Sequence, residues 1–411
     1  MKKFSLVIIC FFAFSQLDGQ EITNYTTSEG LLDNFVECLD VDSDDNIWFG
    51  TSIGLQMFDG ESWIAYNTTD YPGMVHDNIK VIRAMNNGDI WIGTDYGACR
   101  FDGLSWTTFD NTNGLNHNIV QSIDEDENGI IWIGTMTGVS YFDGAEWGVF
   151  GAPDLHWSGV NVTVSESAEN LWLGSPLGGI SLYDGDSFTT YFTPSDGLVS
   201  PNVTDLLIDD EGNKWIGTDA GISVLDASNI NIAQYTQMYQ LPPPDTLNQV
   251  VDLAMDSEGR IWAGIYVGYL GVGGVAMLDG NEWINYDESD GLIGQNIRGI
   301  EIDSFDNVWV ATGTGVSKIG SQTSNIYNIE ESAISIYPNP SYGKFTISLG
   351  GLFQPTTICV YDNQGRAIQN KRFLNSSEVD FEIQGEPGTY LIQFMSGDQS
   401  EIIEMVPVIK L

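Results

Sequence analysis

Short runs of alternating apolar and polar residues, separated by turn residues, occupy most of the chain. The four runs of one such unit are Ile119–Asp124, Ile131–Thr135, Val139–Phe142 and Glu146–Phe150. The turn "DENG" separates the first two, Gly138 opens the third, and Asp143-Gly144 precedes the fourth. Period-two alternation with Asn-Gly and Asp-Gly turns predicts four antiparallel β-strands joined by tight hairpins.

This unit recurs along the sequence, for example as "NIWFGTSIGLQMFDG", "DIWIGTDYGACRFDG" and "NLWLGSPLGGISLYDG". Its anchor tryptophans, 40 to 47 residues apart, are Trp48, Trp91, Trp132, Trp172, Trp215, Trp262 and Trp309. A period near 40 residues made of four short strands is typical of propeller blades. The sequence therefore predicts an all-β chain, with a seven-bladed β-propeller over residues 21–320 and the anchor tryptophans packed between neighbouring blades.

The two ends of the propeller segment complement each other. The seventh repeat stops after its third strand, at Gly320, and "EITNYTTSEGLLDN" at residues 21–34 matches "WINYDESDGLIGQN" of the sixth repeat. We therefore predict that Ile22–Tyr25 supplies the outer strand of blade seven, which would leave no unpaired edge at the junction.

An asparagine recurs just before each inner strand. These residues are Asn34, Asn78, Asn118, Asn161, Asn202, Asn248 and Asn296. They could form a ring of amides at a channel mouth, or each could cap a turn through bonds between its side chain and the backbone. The second interpretation is favoured, because a residue repeated in every blade meets the same local need in every blade.

The N-terminus has the pattern of an export signal. Lys2 and Lys3 precede the apolar run Phe4–Phe14, which is too short to span a bilayer as a helix. The predicted signal peptide is residues 1–15, with cleavage as late as residue 20 as an alternative. No later stretch is long and apolar enough for a transmembrane segment, so we expect an exported protein.

Charge and side-chain chemistry narrow the function further. With 57 acidic and 14 basic residues, the formal net charge of −43 repels nucleic acid. The wide spacing of Cys38, Cys99 and Cys359 indicates buried single thiols rather than a disulfide framework or zinc site.

No cofactor is expected. Calcium is the alternative, because "DEDENG" at 124–129 resembles the start of a calcium loop, although Thr135 replaces the usual Glu.

The phrase "DEDENGIIWIGTMTGVSYFD" and its relatives resemble the two-component-regulator propeller repeat. In that family the propellers often form extracytoplasmic sensor regions that respond to glycans. The resemblance implies the fold and a tendency to bind ligands. It does not carry over signal transduction, because no membrane helix or kinase is recognisable here.

Beyond residue 320 the blade pattern ends, and residues 321–333 are expected to be a polar linker. Residues 334–411 predict a small C-terminal β-sandwich. Its motifs "YPNP" (Tyr337, Pro338, Asn339, Pro340), "VYDNQGR" and "GTYLIQF" resemble the C-terminal sorting domain of the type IX secretion system. The resemblance implies the type IX secretion machinery as a partner, and a protein that is secreted or attached to the outer-membrane surface.

If repeated residues are scaffold, functional residues are expected where a blade departs from the repeat. Blade six has an enlarged loop, "GIYVGYLGVGG", and the preceding connection contains "YTQMYQLPPPDTLN". Aromatic rings on one rigid face suit stacking on sugars. The candidate ligand-binding residues are Tyr96, His156, Trp157, Tyr239, Tyr266 and Tyr269.

Three function classes follow. The favoured one is a binding module for an extracellular glycan or a surface protein, and the second is a structural or adhesive scaffold. The third is a lyase or hydrolase acting on polysaccharides or lactones, suggested by resemblance to streptogramin lyase, another seven-bladed propeller. Catalysis has little support, since the chain has three histidines and neither an HExxH nor a GxSxG motif.

Overall fold

A computed structural model describes residues 21–320, except 152, 153, 156, 158 and 242–247, and part of the C-terminal segment. The C-terminal positions described are 334–337, 341, 344–349, 356–361, 366–373, 378–383, 387–396 and 402–410. The chain divides into two compact units after residue 321. The predicted signal peptide and linker lie outside the described residues. Within the described residues no helix is long and apolar enough to cross a membrane.

The N-terminal unit is a seven-bladed β-propeller of four-stranded antiparallel sheets. Its strands are β1 (Ile22–Tyr25), β2 (Val36–Val41), β3 (Ile47–Thr51), β4 (Gly54–Phe58), β5 (Trp63–Tyr66), β6 (Val81–Ala84), β7 (Ile90–Thr94), β8 (Gly97–Phe101), β9 (Trp106–Phe109), β10 (Val120–Glu125), β11 (Ile131–Thr135), β12 (Gly138–Phe142), β13 (Trp147–Phe150), β14 (Val162–Ser165), β15 (Leu171–Ser175), β16 (Gly179–Tyr183), β17 (Phe188–Phe192), β18 (Val203–Ile208), β19 (Lys214–Thr218), β20 (Gly221–Leu225), β21 (Asn231–Tyr235), β22 (Val250–Met255), β23 (Ile261–Val267), β24 (Val272–Asp279), β25 (Glu282–Tyr286), β26 (Ile297–Ile302), β27 (Val308–Thr312) and β28 (Gly315–Ile319). A single 3-10 turn, Pro194–Asp196, follows β17.

Strands β2 to β25 form blades one to six in chain order, and blade seven has the order β1-β28-β27-β26. Ile22 pairs with Ile319 and Tyr25 with Val316, in antiparallel register. The Tyr25 ring stacks on Trp309 with centroids 5.5 Å apart. The first strand of the chain is therefore the outer strand of the last blade, and the ring is closed by hydrogen bonds and packing alone.

Each anchor tryptophan packs between blades, and most are also tied to a carboxylate. The Trp132 ring lies 5.7 Å from that of Tyr183 in blade four, measured between centroids. Its indole N–H donates to Asp126 Oδ2 (3.1 Å), while Asp126 Oδ1 accepts the backbone N–H groups of Asn128 and Ile130. The same indole bond, 2.8 to 2.9 Å long, joins Trp48 to Asp42, Trp172 to Glu166, Trp215 to Asp209, Trp262 to Asp256 and Trp309 to Asp303.

These bonds matter for the alternative that the "DEDENG" turn binds calcium, because the turn carboxylate that would bind the ion already accepts hydrogen bonds from the protein. Asp126 caps a hairpin and holds an indole, an arrangement that needs no ion. In the part of the chain that the structure describes, no group of three or more His, Cys, Asp or Glu side chains is placed to hold a metal ion.

The inner strands are bridged around the central channel by buried carboxylates. Each accepts a backbone N–H from the next blade at 2.6 to 2.8 Å, in the pairs Asp40–Ala84, Asp124–Ser165, Asp205–Leu253 and Asp252–Ile300. Burial, with the adjacent Asp205 charge, raises the pKa of Asp252 well above its ordinary value. These acids satisfy edge N–H groups of the inner strands, so their burial has a structural cause.

The C-terminal unit contains two antiparallel sheets. Its strands are β29 (Ile334–Tyr337), β30 (Lys344–Leu349), β31 (Thr356–Tyr361), β32 (Ala367–Phe373), β33 (Glu378–Glu382), β34 (Gly388–Ser396) and β35 (Ile402–Lys410). The sheet orders are β29-β30-β33 and β32-β31-β34-β35. Phe345, Ile358, Phe381, Ile392 and Phe394 are buried in its core, consistent with a β-sandwich. Of the "YPNP" motif, Tyr337 ends β29, and residues 338–340 lie outside the described residues.

Candidate functional site at the channel mouth

A ring of seven side chains stands where the inner strands begin. In five blades the second residue of the inner strand forms a β-bulge. A bulge changes the direction in which the side chain of that residue points. In blades two and four the backbone N–H groups of Lys80 and Asn161 occupy the corresponding place, each donating to a glycine carbonyl of the second strand. We call this set the mouth ring: Glu37, Lys80, Gln121, Asn161, Thr204, Val251 and Arg298.

One arc of the mouth ring is charged and internally paired. Lys80 Nζ lies 3.0 Å from Glu37 Oε1, and the Arg298 guanidinium donates to Glu37 Oε2. Burial raises the pKa of Glu37, but the hydrogen bonds from Arg298 and Lys80 outweigh it and bring the pKa below its ordinary value. This arc joins blades seven, one and two, and its charges are satisfied within the ring.

The other arc is neutral and opens into a cavity of about 440 Å³. The residues lining it are Gln121, Asn161, Asn202, Thr204, Asp219, Gln249, Val250, Val251 and Tyr266. They come from blades three to six and include four carboxamides, a hydroxyl, a carboxylate and one aromatic ring. The volume is within the range of small-molecule sites.

Two polar atoms of the cavity wall have no hydrogen-bond partner in the described chain. They are Thr204 Oγ1 and Asp219 Oδ1, and both are screened from bulk solvent. Asp219 is held in place by Asn202, whose Nδ2 donates to Asp219 Oδ2 (3.2 Å) and whose carbonyl accepts the Asp219 N–H. Asn161 is held by donating to the Val203 carbonyl (2.9 Å). A buried polar atom without a partner is costly: Asp219 Oδ1 requires a donor, and the Thr204 hydroxyl can accept or donate, so the pair favours a polar ligand that brings at least one donor.

The three candidate tyrosines of blade six and its preceding loop differ in their positions. Tyr266 lines the cavity. Tyr269 lies in the turn after β23, is 71% exposed, and is not among the lining residues. Tyr239 is 7% exposed and packs against Gly274. Burial, together with hydrogen bonding to Asp287, raises its pKa to about 12. The Tyr239 ring is therefore packed beneath the loop in this structure rather than exposed on its surface.

Tyr96 and Trp157 are not among the residues that line the cavity. Tyr96 is 58% exposed and stacks on His76, with ring centroids 4.4 Å apart. Trp157 is 43% exposed and covers Gly178 so closely that a Cβ there would fall 1.8 Å from its ring. His156 lies outside the described residues.

The recurring asparagines do not form one ring. Asn34, Asn118 and Asn248 accept backbone N–H groups of the preceding loop, as turn capping predicts. In blade two Asp77 makes this bond, from Thr68 N–H (2.6 Å). Asn161 and Asn202 are displaced along the chain relative to these caps and line the cavity instead.

Sequence reasoning missed most of the lining residues. Asp219, Thr204, Gln121 and Gln249 are not among the residues predicted for the site. One signal was available: the residue that follows the repeated Val or Ile at the start of the inner strand varies among the blades, from Glu37 to Val251. Variation next to a repeated apolar position marks a place where the blades differ in chemistry.

Comparisons with known families agree with the motifs. Residues 335–408 match the model of the secretion system C-terminal sorting domain, and residues 30–52 and 114–137 match the two component regulator propeller repeat. The chain thus carries both kinds of segment, and both predicted resemblances are confirmed. No curated protein matches the sequence.

Solved structures with the same architecture include the extracellular domain assigned to a hybrid two component system of B. thetaiotaomicron (TM-score 0.63, 17% identity, 95% of this chain and 57% of that one). PorZ, a surface component of the type-IX secretion system of Porphyromonas gingivalis, is similar with a TM-score of 0.57 and 15% identity, over 92% of this chain and 59% of PorZ. Streptogramin B lyase is similar with a TM-score of 0.56 and 12% identity, over 73% of this chain and 97% of the lyase. The chain spans less than two thirds of the first two proteins. At these identities the likeness establishes the propeller fold.

Proposed function

We propose that this protein is an exported, surface-exposed or secreted binding module that holds a glycan in the channel-mouth cavity. The observation that carries the proposal is the cavity beside the neutral arc of the mouth ring, which is lined by four carboxamides, one aromatic ring and two residues with an unpartnered oxygen. Sugars present hydroxyl donors and acceptors at their edges and C–H groups on their faces. Carboxamides can satisfy the first, and Tyr266 can pack against the second.

Export is supported by the C-terminal sorting domain and by the predicted signal peptide. The sorting domain acts as an address read by the type IX secretion machinery and has no catalytic role. A chain lacking residues 334–411 should accumulate in the periplasm, whereas the full chain should reach the surface or the medium. Fractionation of cells that carry a working type IX system tests this, and equal export of both forms would refute it.

The binding proposal is tested by a glycan array probed with the full chain lacking its predicted signal peptide. Replacing Tyr266 with Ala should lower affinity for the glycan found by about tenfold, because one stacked aromatic contact contributes about 1 kcal/mol or more. Tyr269→Ala is the matched control, since it removes the same kind of ring three residues away, in the turn after β23 and outside the cavity lining. Unchanged binding by the Tyr266 variant would remove the cavity as the site.

A further inference from the structure

We infer that the cavity selects a cationic amino sugar, with the free ammonium group received by Asp219 and Thr204. This inference rests on the proposed glycan site and names its ligand class. It depends on three features of the described residues: the charge of the lining, the two unpartnered oxygens, and the place of both groups at the same end of blade five.

The charge around the cavity favours a cation. Among the lining residues Asp219 is the one carboxylate, and no Lys or Arg is present. The two cations of the mouth ring, Lys80 and Arg298, both face Glu37. The chain as a whole carries −43, so field lines at a concave mouth attract positive groups and repel uronates or sulfated sugars.

The unpartnered acceptors supply the contact. Thr204 is the bulged residue between Val203, which pairs with Thr218, and Asp205, which pairs with Gly217. Asp219 directly follows Thr218, the last residue of β19, so Thr204 in β18 and Asp219 in the turn after β19 lie at the same end of blade five. Asn202 occupies the other carboxylate oxygen of Asp219, which leaves Oδ1 for an incoming donor.

An ammonium group suits this pair better than a hydroxyl does. It carries three donors and a charge, whereas a hydroxyl carries a single donor and no charge. Because both oxygens are screened from solvent, the inference includes a rotation of the Thr204 and Asp219 side chains towards the cavity when the ligand binds. A charge-assisted bond to Asp219 is about twice as strong as a neutral one. Tyr266, on the same cavity wall, can cover the face of the sugar ring that bears the amine.

The test uses three β-1,4-linked tetrasaccharides that differ at carbon 2 of each ring: chitosan tetraose with free amines, its fully N-acetylated counterpart, and cellotetraose. Titration calorimetry with the full chain lacking its predicted signal peptide should show the free-amine form binding about tenfold or more tighter than the other two. Asp219→Asn should remove that preference while changing cellotetraose affinity less than about threefold. Thr204→Val should weaken the amine form in the same direction.

Asp95→Asn is the matched control, because Asp95 occupies the same hairpin position of "TDYG" in blade two, exposed and outside the cavity. It should leave all three affinities unchanged. If Asp95→Asn lowered the preference for the free-amine tetrasaccharide as much as Asp219→Asn does, the preference would come from the overall negative charge of the protein, and the inference would be overturned. Equal binding of the three tetrasaccharides would also overturn it, as would Nα-acetyl-lysine amide binding as tightly as the free-amine form. In each case Tyr266-dependent binding of another glycan would leave the proposed function standing. Without binding of any glycan on the array, both would fail.

Discussion

Replacing Asp126 with Ala should lower the free energy of unfolding of the propeller by about 3 kcal/mol. The side chain makes three bonds in the structure, two to turn N–H groups and one to the buried Trp132 indole. Loss of the indole partner leaves a buried donor unsatisfied, which costs about 1–3 kcal/mol. The two turn N–H groups lie near solvent and can bond to water, so each adds about 0.5 kcal/mol.

Thermal unfolding followed by near-ultraviolet circular dichroism measures this change, because it reports on tryptophan packing. For a domain of this size, 3 kcal/mol corresponds to a fall of about 5 °C in Tm. The matched control is Glu127→Ala. It removes the same charge from the same turn, but the Glu127 carboxylate is exposed and its bond to Ala168 N–H is long, at 3.4 Å.

Glu127→Ala should change Tm by less than about 1 °C. Equal shifts for the two variants would mean that charge, rather than the bond to the indole, sets the stability of the turn. A shift below about 1 kcal/mol for Asp126→Ala would refute the argument that these carboxylates are needed to satisfy the anchor tryptophans.

Three further predictions concern closure, pH and ions. Deleting Ile22–Tyr25 should lower the free energy of unfolding by about 5 kcal/mol or more, because β28 loses its partner strand and Trp309 loses a stacked ring; removal of residues 1–20 alone, measured in the same urea titration, should have no effect. Burial, followed by the nearby charge of Asp40, raises the pKa of Glu301 from 4.5 to about 8. The folded state therefore favours the protonated acid, and the associated stability is fully present below pH 4.5 and is lost as the pH rises towards 8. Glu301→Gln should thus raise Tm at pH 8.5 more than at pH 4.5, and a uniform shift would contradict this. A chelator should leave Tm unchanged, because N–H donors already occupy the hairpin carboxylates; a fall of several degrees that added calcium restores would favour a structural ion.

The blade could be read from the sequence because its contacts are local. Strands of one blade are joined by short hairpins, so alternation, an Asp-Gly turn and an anchor tryptophan mark each of them within about 40 residues. Asp143 shows the turn chemistry: its Oδ1 accepts the N–H groups of Ala145 and Glu146, at 2.9 and 2.7 Å. The match between residues 21–34 and the sixth repeat added the one long-range pairing that the strand pattern needs, between β1 and β28.

The candidate site could be anticipated only in part. Of the aromatic residues predicted from the enlarged loops, Tyr266 lines the cavity, whereas Tyr239 is buried. Exposure depends on how a loop folds back on its blade, and Gly274 leaves room for the Tyr239 ring beneath the surface. Composition and spacing do not specify this packing.

The sequence by itself thus determined the repeating unit, the number of blades and the sorting address, because each depends on short-range patterns. The tertiary structure alone decided which chemistry meets at the centre. The mouth ring draws one residue from each blade, some 40 positions apart, and bulges turn those residues towards a common axis. Its division into a paired charged arc and a neutral arc that opens into the cavity exists only after the ring has closed.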